Sequence, residues 1–295
     1  MNILIIGSKG FIGSHCVQYF SQSAEVWECD VVTDYVNQRY FLIDATNANF
    51  EEVFQSQPFD VCINCSGAAN VSDSIKNPQR DFMLNVTNVF KQLDAIRKYQ
   101  PQCKYLNLSS AAVYGNPVQL PIDETHPLQP ISPYGNHKKM AEEVCEDFYT
   151  HYQIPTCSLR IFSAYGPGLK KQLFWDLYQK SLANNNVTLY GTGKESRDFI
   201  YISDLVRAID CVITKATFQN NIINVANGEE IRIERIAASF FKDTQTSFVF
   251  GGESRQGDPI NWVADISLLK ALGYEGQVPL EEGIKHYWKW LNENE

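Results

Sequence analysis

Tyr134 and Lys138, four residues apart, are the pair in this sequence best placed to move a proton. Pro133 disfavours helix at the residue before it, and an apolar rhythm then begins with Tyr134, Met140, Val144 and Phe148. A helix starting near Tyr134 puts both side chains on one face, one turn apart. A phenol with a pKa of about 10 is a poor base at neutral pH. An ammonium held one turn away favours the phenolate and is expected to lower that value. A tyrosine so tuned can take a proton from a hydroxyl, or return it to a carbonyl, as hydride moves. The spacing alone is common on helix surfaces, so its meaning depends on what the chain sets beside it. A second chemical candidate, Cys62-x-x-Cys65, sits in a strand-like run with no second pair and no His at ligand spacing. It reads as core, and no metal site is expected.

The elements around this pair alternate. Asn2 to Ile6 is a short apolar run that stops at Gly7-Ser8-Lys9-Gly10-Phe11-Ile12-Gly13, and an amphipathic helix follows through Cys16, Val17 and Phe20. Strand, glycine turn and helix are the context in which a backbone can approach a pyrophosphate at a helix N-terminus. The next strand, Glu25 to Cys29, ends at Asp30, seventeen residues beyond Gly13. An acid there accepts hydrogen bonds from the adenosine ribose and repels a 2′-phosphate, so NAD is expected over NADP. Further strands end at Asp44, at Ser66-Gly67-Ala68-Ala69 and at Ser109-Ser110. One long helix pattern runs through Phe82, Val86, Val89, Phe90, Leu93 and Ile96. This βα alternation predicts an α/β protein: a Rossmann-type doubly wound parallel sheet with ligands beyond the strands' carboxyl ends. Past Phe162 the rhythm weakens. Residues 1–165 are expected to form the dinucleotide domain, with a return at about 199–226, and 166–295 mainly a smaller mixed α/β substrate-binding lobe.

Composition narrows the field. The chain has 295 residues and a net charge of −9, which argues against a nucleic-acid surface. No run reaches the roughly 18 apolar residues of a membrane helix, and the N-terminus lacks the pattern of a signal peptide. Eight scattered cysteines in mostly apolar surroundings fit reduced core residues of a cytoplasmic protein.

These pieces, in order, resemble a known family. They are Gly7 to Gly13, Asp30, Asp44, Ser66-Gly67-Ala68-Ala69, Asn85-Val86, Ser109-Ser110-Ala111-Ala112-Val113-Tyr114-Gly115 and Tyr134 to Lys138. Arg160 to Pro167, Gly191-x-Gly193 with Arg197-Asp198-Phe199, Asp204 and Arg255-Gln256-Gly257-Asp258 complete the set. The whole chain resembles the extended short-chain dehydrogenase/reductase superfamily, and within it the NAD-dependent nucleotide-sugar epimerase/dehydratase family, in the manner of a UDP-glucose 4-epimerase. The resemblance implies a catalytic triad of Ser110, Tyr134 and Lys138, with Tyr134 the acid/base and Lys138 also at the nicotinamide ribose. It implies NAD contacts at Gly7, Gly10, Phe11, Ile12, Gly13, Asp30, Asp44, Ala45, Ser66 and Ala68. Asn85, Ser163, Arg197, Arg255 and Asp258 match substrate-binding positions, the two arginines gripping a diphosphate.

Departures sharpen the expectation. Family 4,6-dehydratases carry Asp-Glu directly after the triad serine, where this chain has Ala111 and Ala112. Reductases with built-in 3,5-epimerase activity place a Cys there. Ser163 stands where the family pattern has Asn, a diphosphate contact, so that contact is expected to be weaker or water-mediated. The expected activity is a C4 epimerase of a nucleotide-linked hexose, an isomerase of the kind that feeds polysaccharide biosynthesis. The alternatives are an oxidoreductase that reduces a nucleotide 4-keto-6-deoxysugar with NAD(P)H, and a non-catalytic NAD-binding regulator. The resemblance also implies a homodimer in which helices near residues 82–99 and 134–152 pair as a four-helix bundle.

Overall fold

The computed structural model describes residues 1–253, 257 and 259–294. Its central strand, β1 (Asn2–Ile6), is apolar at successive positions because both faces are covered. Ile3 and Ile5 pack into one core cluster, Leu4 and Ile6 into another. The chain then alternates α1 (Phe11–Phe20), β2 (Glu25–Asp30), β3 (Tyr40–Leu42), α2 (Glu51–Ser56), β4 (Val61–Asn64), α3 (Val71–Lys76), α4 (Pro78–Phe82), α5 (Asn88–Tyr99), β5 (Lys104–Ser110), α6 (Pro133–Tyr152) and β6 (Thr156–Ile161). A later strand, β11 (Gln219–Val225), joins these in one parallel sheet of order β11-β6-β5-β4-β1-β2-β3. Helices α2, α5 and α6 cover one face, and α1 lies with α8 (Ile202–Lys215) on the other. The strand order reverses between β1 and β4, which opens a crevice at the carboxyl edge there. The α/β, doubly wound sheet is as the alternation predicts.

The remaining segments stand over that edge as short pairs. β7 (Ser163–Tyr165) pairs with β10 (Phe199–Tyr201), and β8 (Asn186–Leu189) with β13 (Ser247–Phe250). β9 (Ser196–Arg197) pairs with β12 (Ile231–Arg232). Helices α7 (Gln172–Ala183), α9 (Ile233–Phe241), α10 (Ser267–Ala271) and α11 (Leu280–Asn294) complete the chain. Buried carboxylates tie these pieces down. Asp198 accepts bonds from the backbone N–H of Asn227, Gly228 and Ala264, and its burial lifts its pKa to about 6. Asp204 pairs with Arg207 and receives the N–H groups of Gln277 and Val278.

One helix differs from the apolar rhythm. The run from Phe82 to Ile96 is interrupted by a π-helical turn over Met83–Thr87. A wider turn re-aims one side chain out of the helical register, and here Asn85 is turned into the protein interior.

α6 is locked to the sheet by a buried ion pair. Arg160 of β6 donates to both carboxylate oxygens of Glu142, through Nη2 at 2.7 Å and Nε at 3.1 and 3.2 Å. Ser109 Oγ donates to the same carboxylate at 2.5 Å, and Arg160 Nη1 donates to Tyr114 Oη and Glu124 O. Tyr114 in turn donates to Asn224 at 2.7 Å. Arg160→Met alone strands a buried carboxylate and should cost about 3–5 kcal/mol in urea unfolding, whereas Arg160→Met with Glu142→Leu should recover most of it. A double variant no more stable than the single would show that the network, and not the lone charge, sets the cost.

Candidate active site

The glycine loop is shaped by close approaches. Gly7 has φ +80°, and a Cβ there would lie 2.7 Å from Ser66 N; a Cβ on Gly13 would lie 2.0 Å from Gly7 O. Side chains at either position would force the loop, β4 and the first turn of α1 apart. Gly10 caps α1 without a side-chain bond, so the first-turn N–H groups, those of Phe11, Ile12 and Gly13, keep their donor capacity. Asp30 Oδ2 accepts from Lys9 N at 2.8 Å, and Oδ1 from Val31 N at 2.7 Å, fixing its carboxylate against the loop. Asp44 closes a turn around Ala45 by accepting Thr46 N, Thr46 Oγ1 and Asn47 N, and these bonds, the Thr46 hydroxyl first, hold its pKa below the usual carboxylate value.

The next strand end brings the cofactor side and the catalytic side together. Ser66 Oγ donates to Asn64 at 2.5 Å, and Ala68 O accepts from Asn85 Nδ2 at 3.2 Å. Asn85, expected among substrate contacts, lies buried beneath this turn and not on the lobe side, with its amide also bound to Asp81. Gly67 shows how near Lys138 is: a Cβ there would lie 2.5 Å from Asn85 Oδ1 and 3.6 Å from Lys138 Nζ.

Ser110 ends β5 and caps a single 3₁₀ turn over Ala111–Val113, accepting Ala112 N at 3.2 Å. α6 starts at Pro133 with Ser132 Oγ accepting Gly135 N at 3.1 Å. Gly135 lets the two turns touch, since a Cβ there would stand 2.4 Å from Ala112 O. This contact sets the Tyr134 side chain beside Ser110, close enough for the serine to lower the phenol's pKa. Lys138 Nζ donates to Leu108 O at 2.9 Å and lies 6.0 Å from the centre of the Tyr134 ring. A buried pair backs this part of the helix, with His137 Nδ1 and Asp81 Oδ1 at 2.6 Å.

The electrostatics reverse the sequence expectation for the phenol. Burial pushes Tyr134 up to about 12, and Ser110 opposes this only in part. Burial also pulls Lys138 down to about 8, against the pull of Asp81 and Glu142. Desolvation therefore outweighs the neighbouring ammonium: both side chains are buried, and the Lys138 bond goes to Leu108 O, not to the phenol.

On the lobe side, Ser163 begins β7 with its N–H on Asp198 O at 3.0 Å. Arg197 Nη1 donates to Ser196 O and Ile260 O, and the guanidinium lies 5.6 Å over Trp262. Trp262 Nε1 reaches across to Gly115 O at 2.9 Å. Sequence reasoning missed this tryptophan, which no motif spacing marks. In the sequence, Asp198 is marked only as a neighbour of Arg197. Arg255 and Asp258 lie outside the described residues. Among the described residues no His, Cys, Asp and Glu cluster could hold a metal, and Cys62 and Cys65 are free thiols.

The profile of the NAD dependent epimerase/dehydratase family matches residues 3–226. The chain belongs to that family. A putative UDP-glucose 4-epimerase of Methanocaldococcus jannaschii is 29% identical to it over 308 residues, covering 99% of each chain. The structure of a UDP-glucuronic acid 4-epimerase from Bacillus cereus, in complex with UDP-glucuronic acid and NAD, superposes with a TM-score of 0.88 at 25% identity over 99% of both chains. A UDP-N-acetylglucosamine 4-epimerase from Methanobrevibacter ruminantium, in complex with UDP-N-acetylmuramic acid, gives 0.90 at 25% identity over 100% of this chain and 99% of that one.

The family enzyme's own residues fit the dinucleotide. Ser8 Oγ in the glycine loop and Asn85 Oδ1 beside Lys138 are buried without hydrogen-bond partners. The Ser8 hydroxyl, set in the glycine loop, is a polar group that a dinucleotide there could satisfy. The family enzyme's ligand-free form should gain stability when the buried ammonium is removed. At pH 7 Lys138 is charged in both folded and unfolded states, and a pKa of about 8 against 10.5 costs the fold on the order of 3 kcal/mol. That penalty fades as pH rises from 8 towards 10.5, because the folded state loses its proton first. Lys138→Met should thus melt higher than the parent at pH 7, and the gap should shrink at high pH, while its NAD affinity falls. A gap independent of pH would mean that lost packing or the Leu108 bond, and not charge burial, dominates.

Proposed function

We propose that this enzyme inverts C4 of a nucleotide-linked hexose, by oxidising the 4-hydroxyl to a ketone and reducing the ketone from the opposite face. The observation that carries this reading is the composition of the carboxyl edge around Ser110. Tyr134 stands beside Ser110 there, Lys138 Nζ lies 6.0 Å from the ring centre, and the two residues after Ser110, Ala111 and Ala112, carry only methyl groups. One proton-transfer group suits alcohol–ketone interconversion, whereas eliminating water calls for a second acid/base beside it. The relatives named as 4-epimerases support the same choice.

In this reading Ser110 donates to or accepts from the sugar O4, and Tyr134 removes the hydroxyl proton and later returns it. Bound NAD would supply the hydride acceptor and donor for C4. Lys138, whose amine is poised near pH 8, orients the ribose, and its positive charge joins that of the oxidised nicotinamide in drawing the Tyr134 pKa down from about 12. Gly7, Gly10, Phe11, Ile12, Gly13, Asp30, Asp44, Ala45, Ser66 and Ala68 hold the dinucleotide, Asp30 the adenosine ribose. Arg197, with Arg255 and Asp258 by their motif, takes the diphosphate, for which a guanidinium fork is suited. Ser163 contributes a short hydroxyl there. A glycine loop and an acid that keep the oxidised cofactor bound need no external reductant.

The same reading includes a homodimer through a four-helix bundle of α5 and α6 with their two-fold mates. Phe90 of α5 and Tyr152 of α6, with Phe82 and Met83 just before α5, are large apolar side chains left exposed, as residues of an interface are. Phe90→Glu should shift the protein to monomer in sedimentation velocity. A dimer that withstands the charge would place the interface elsewhere.

The enzyme purified without added cofactor should release NAD on denaturation and convert UDP-glucose or UDP-N-acetylglucosamine to the 4-epimer. Tyr134→Phe should lose at least about a hundredfold of that rate while keeping NAD. A protein that purifies empty, leaves both sugars untouched and oxidises NAD(P)H with a nucleotide 4-keto-6-deoxysugar would instead be a reductase.

A further inference from the structure

Lys9 is the one long cationic side chain inside the glycine loop. Its N–H is bonded to Asp30 Oδ2 at 2.8 Å, so its side chain leaves the backbone at the edge that receives the adenosine ribose. The residue is exposed, yet its ammonium has fixed partners. It lies 3.0 Å from Glu28 Oε2 and 2.7 Å from Asp34 Oδ2, with the Tyr40 ring centre at 4.9 Å. Glu28 precedes Asp30 by two residues on β2 and so shares its face. It is nearly buried and also accepts Asn37 Nδ2 at 2.7 Å. Asp34 accepts Val36 N and Asn37 N, and Tyr40 Oη donates to Val32 O. Every partner therefore comes from β2, the connection to β3 or the first residue of β3, and each is itself held in place.

A mobile surface ion pair would carry little meaning. This one is different because one carboxylate is almost fully buried and the cation stands at a ligand edge. A lysine beside the ribose is chemically a receptor for a 2′-phosphate. Here the one ammonium faces two carboxylates, those of Glu28 and Asp34, while the backbone N–H of the same residue holds a third, that of Asp30.

We propose that Lys9 is a masked phosphate-binding cation, held shut by Glu28 and Asp34, so that preference for NAD over NADP rests on this clasp together with Asp30. Removing Asp30 alone leaves Lys9 occupied by its two acids and a 2′-phosphate facing net negative charge. Opening the clasp as well frees the ammonium. The inference concerns dinucleotide binding only and stands whichever sugar the enzyme takes.

The test is calorimetric binding of NAD, NADP and 2′,5′-ADP to the full-length protein stripped of nucleotide, at fixed salt. Each unfavourable charge removed, and each favourable one exposed, is expected to be worth about tenfold in affinity. Asp30→Ser should raise NADP affinity by about tenfold at most. Asp30→Ser with Glu28→Gln and Asp34→Asn should raise it by about a hundredfold or more, and adding Lys9→Met should remove at least about tenfold of that gain. In the parent, where the cation is masked, Lys9→Met should change NADP affinity by less than about twofold. If the triple variant does not fold, judged by its melting transition, Glu28→Gln/Asp34→Asn with and without Lys9→Met gives the same cycle with Asp30 intact. A gain that survives Lys9→Met, a full gain from Asp30→Ser alone, or no gain from opening the clasp would each overturn the proposal.

Discussion

The pair between Arg160 and Glu142 is the constraint on which the site depends. It joins β6 to the middle of α6 in the protein interior, where an isolated charge would be expensive. Its geometry is bidentate, and Ser109, Tyr114 and Glu124 satisfy its remaining capacity. Ser109 adjoins Ser110, and Glu142 lies one turn beyond Lys138 on the same face of α6. One network therefore sets the distance between the strand end and the helix that carry the proposed proton-transfer groups. Through Tyr114 it extends to Asn224 in the late strand β11, so the sheet's edge and its site share a single polar tie.

That tie produces a dry site with a cost. Tyr134 and Lys138 are both shifted away from their charged forms, the phenol upwards and the amine downwards. Such opposed shifts come from desolvation, since a salt-bridged pair would move the other way. The ligand-free enzyme thus holds groups whose charged forms are disfavoured, which is how active sites differ from structural ion pairs. The glycine loop shows the complementary device. Gly7, Gly13 and Gly135 allow backbone contacts that any Cβ would block, and these contacts act together with the Arg160–Glu142 network to bring loop, strand end and helix start into one crevice.

The chain's family and α/β class were legible because they rest on local order. β1 and the glycine loop, Asp30 at a strand end, and Pro133 opening a helix with Tyr134 and Lys138 one turn apart are all short-range patterns. The sheet's class and its covered faces both followed from the alternation. The π turn at Met83–Thr87 was not legible, because its apolar residues continue the helical rhythm and only the inward turn of Asn85 distinguishes it.

What the sequence by itself determined was therefore which residues could do chemistry, and in what order along the chain they come. The tertiary structure decided how they behave. The sign of the Tyr134 shift depends on burial by segments remote in sequence, so the local Tyr–Lys spacing pointed the wrong way. Trp262 reaches Gly115 and Asp198 gathers N–H groups from two distant loops, contacts that no periodicity encodes. Lys9 reads as an ordinary loop lysine until β2 and its connection to β3 place Glu28 and Asp34 around it. Charge and desolvation act through space, and spatial neighbours are what a one-dimensional pattern leaves open.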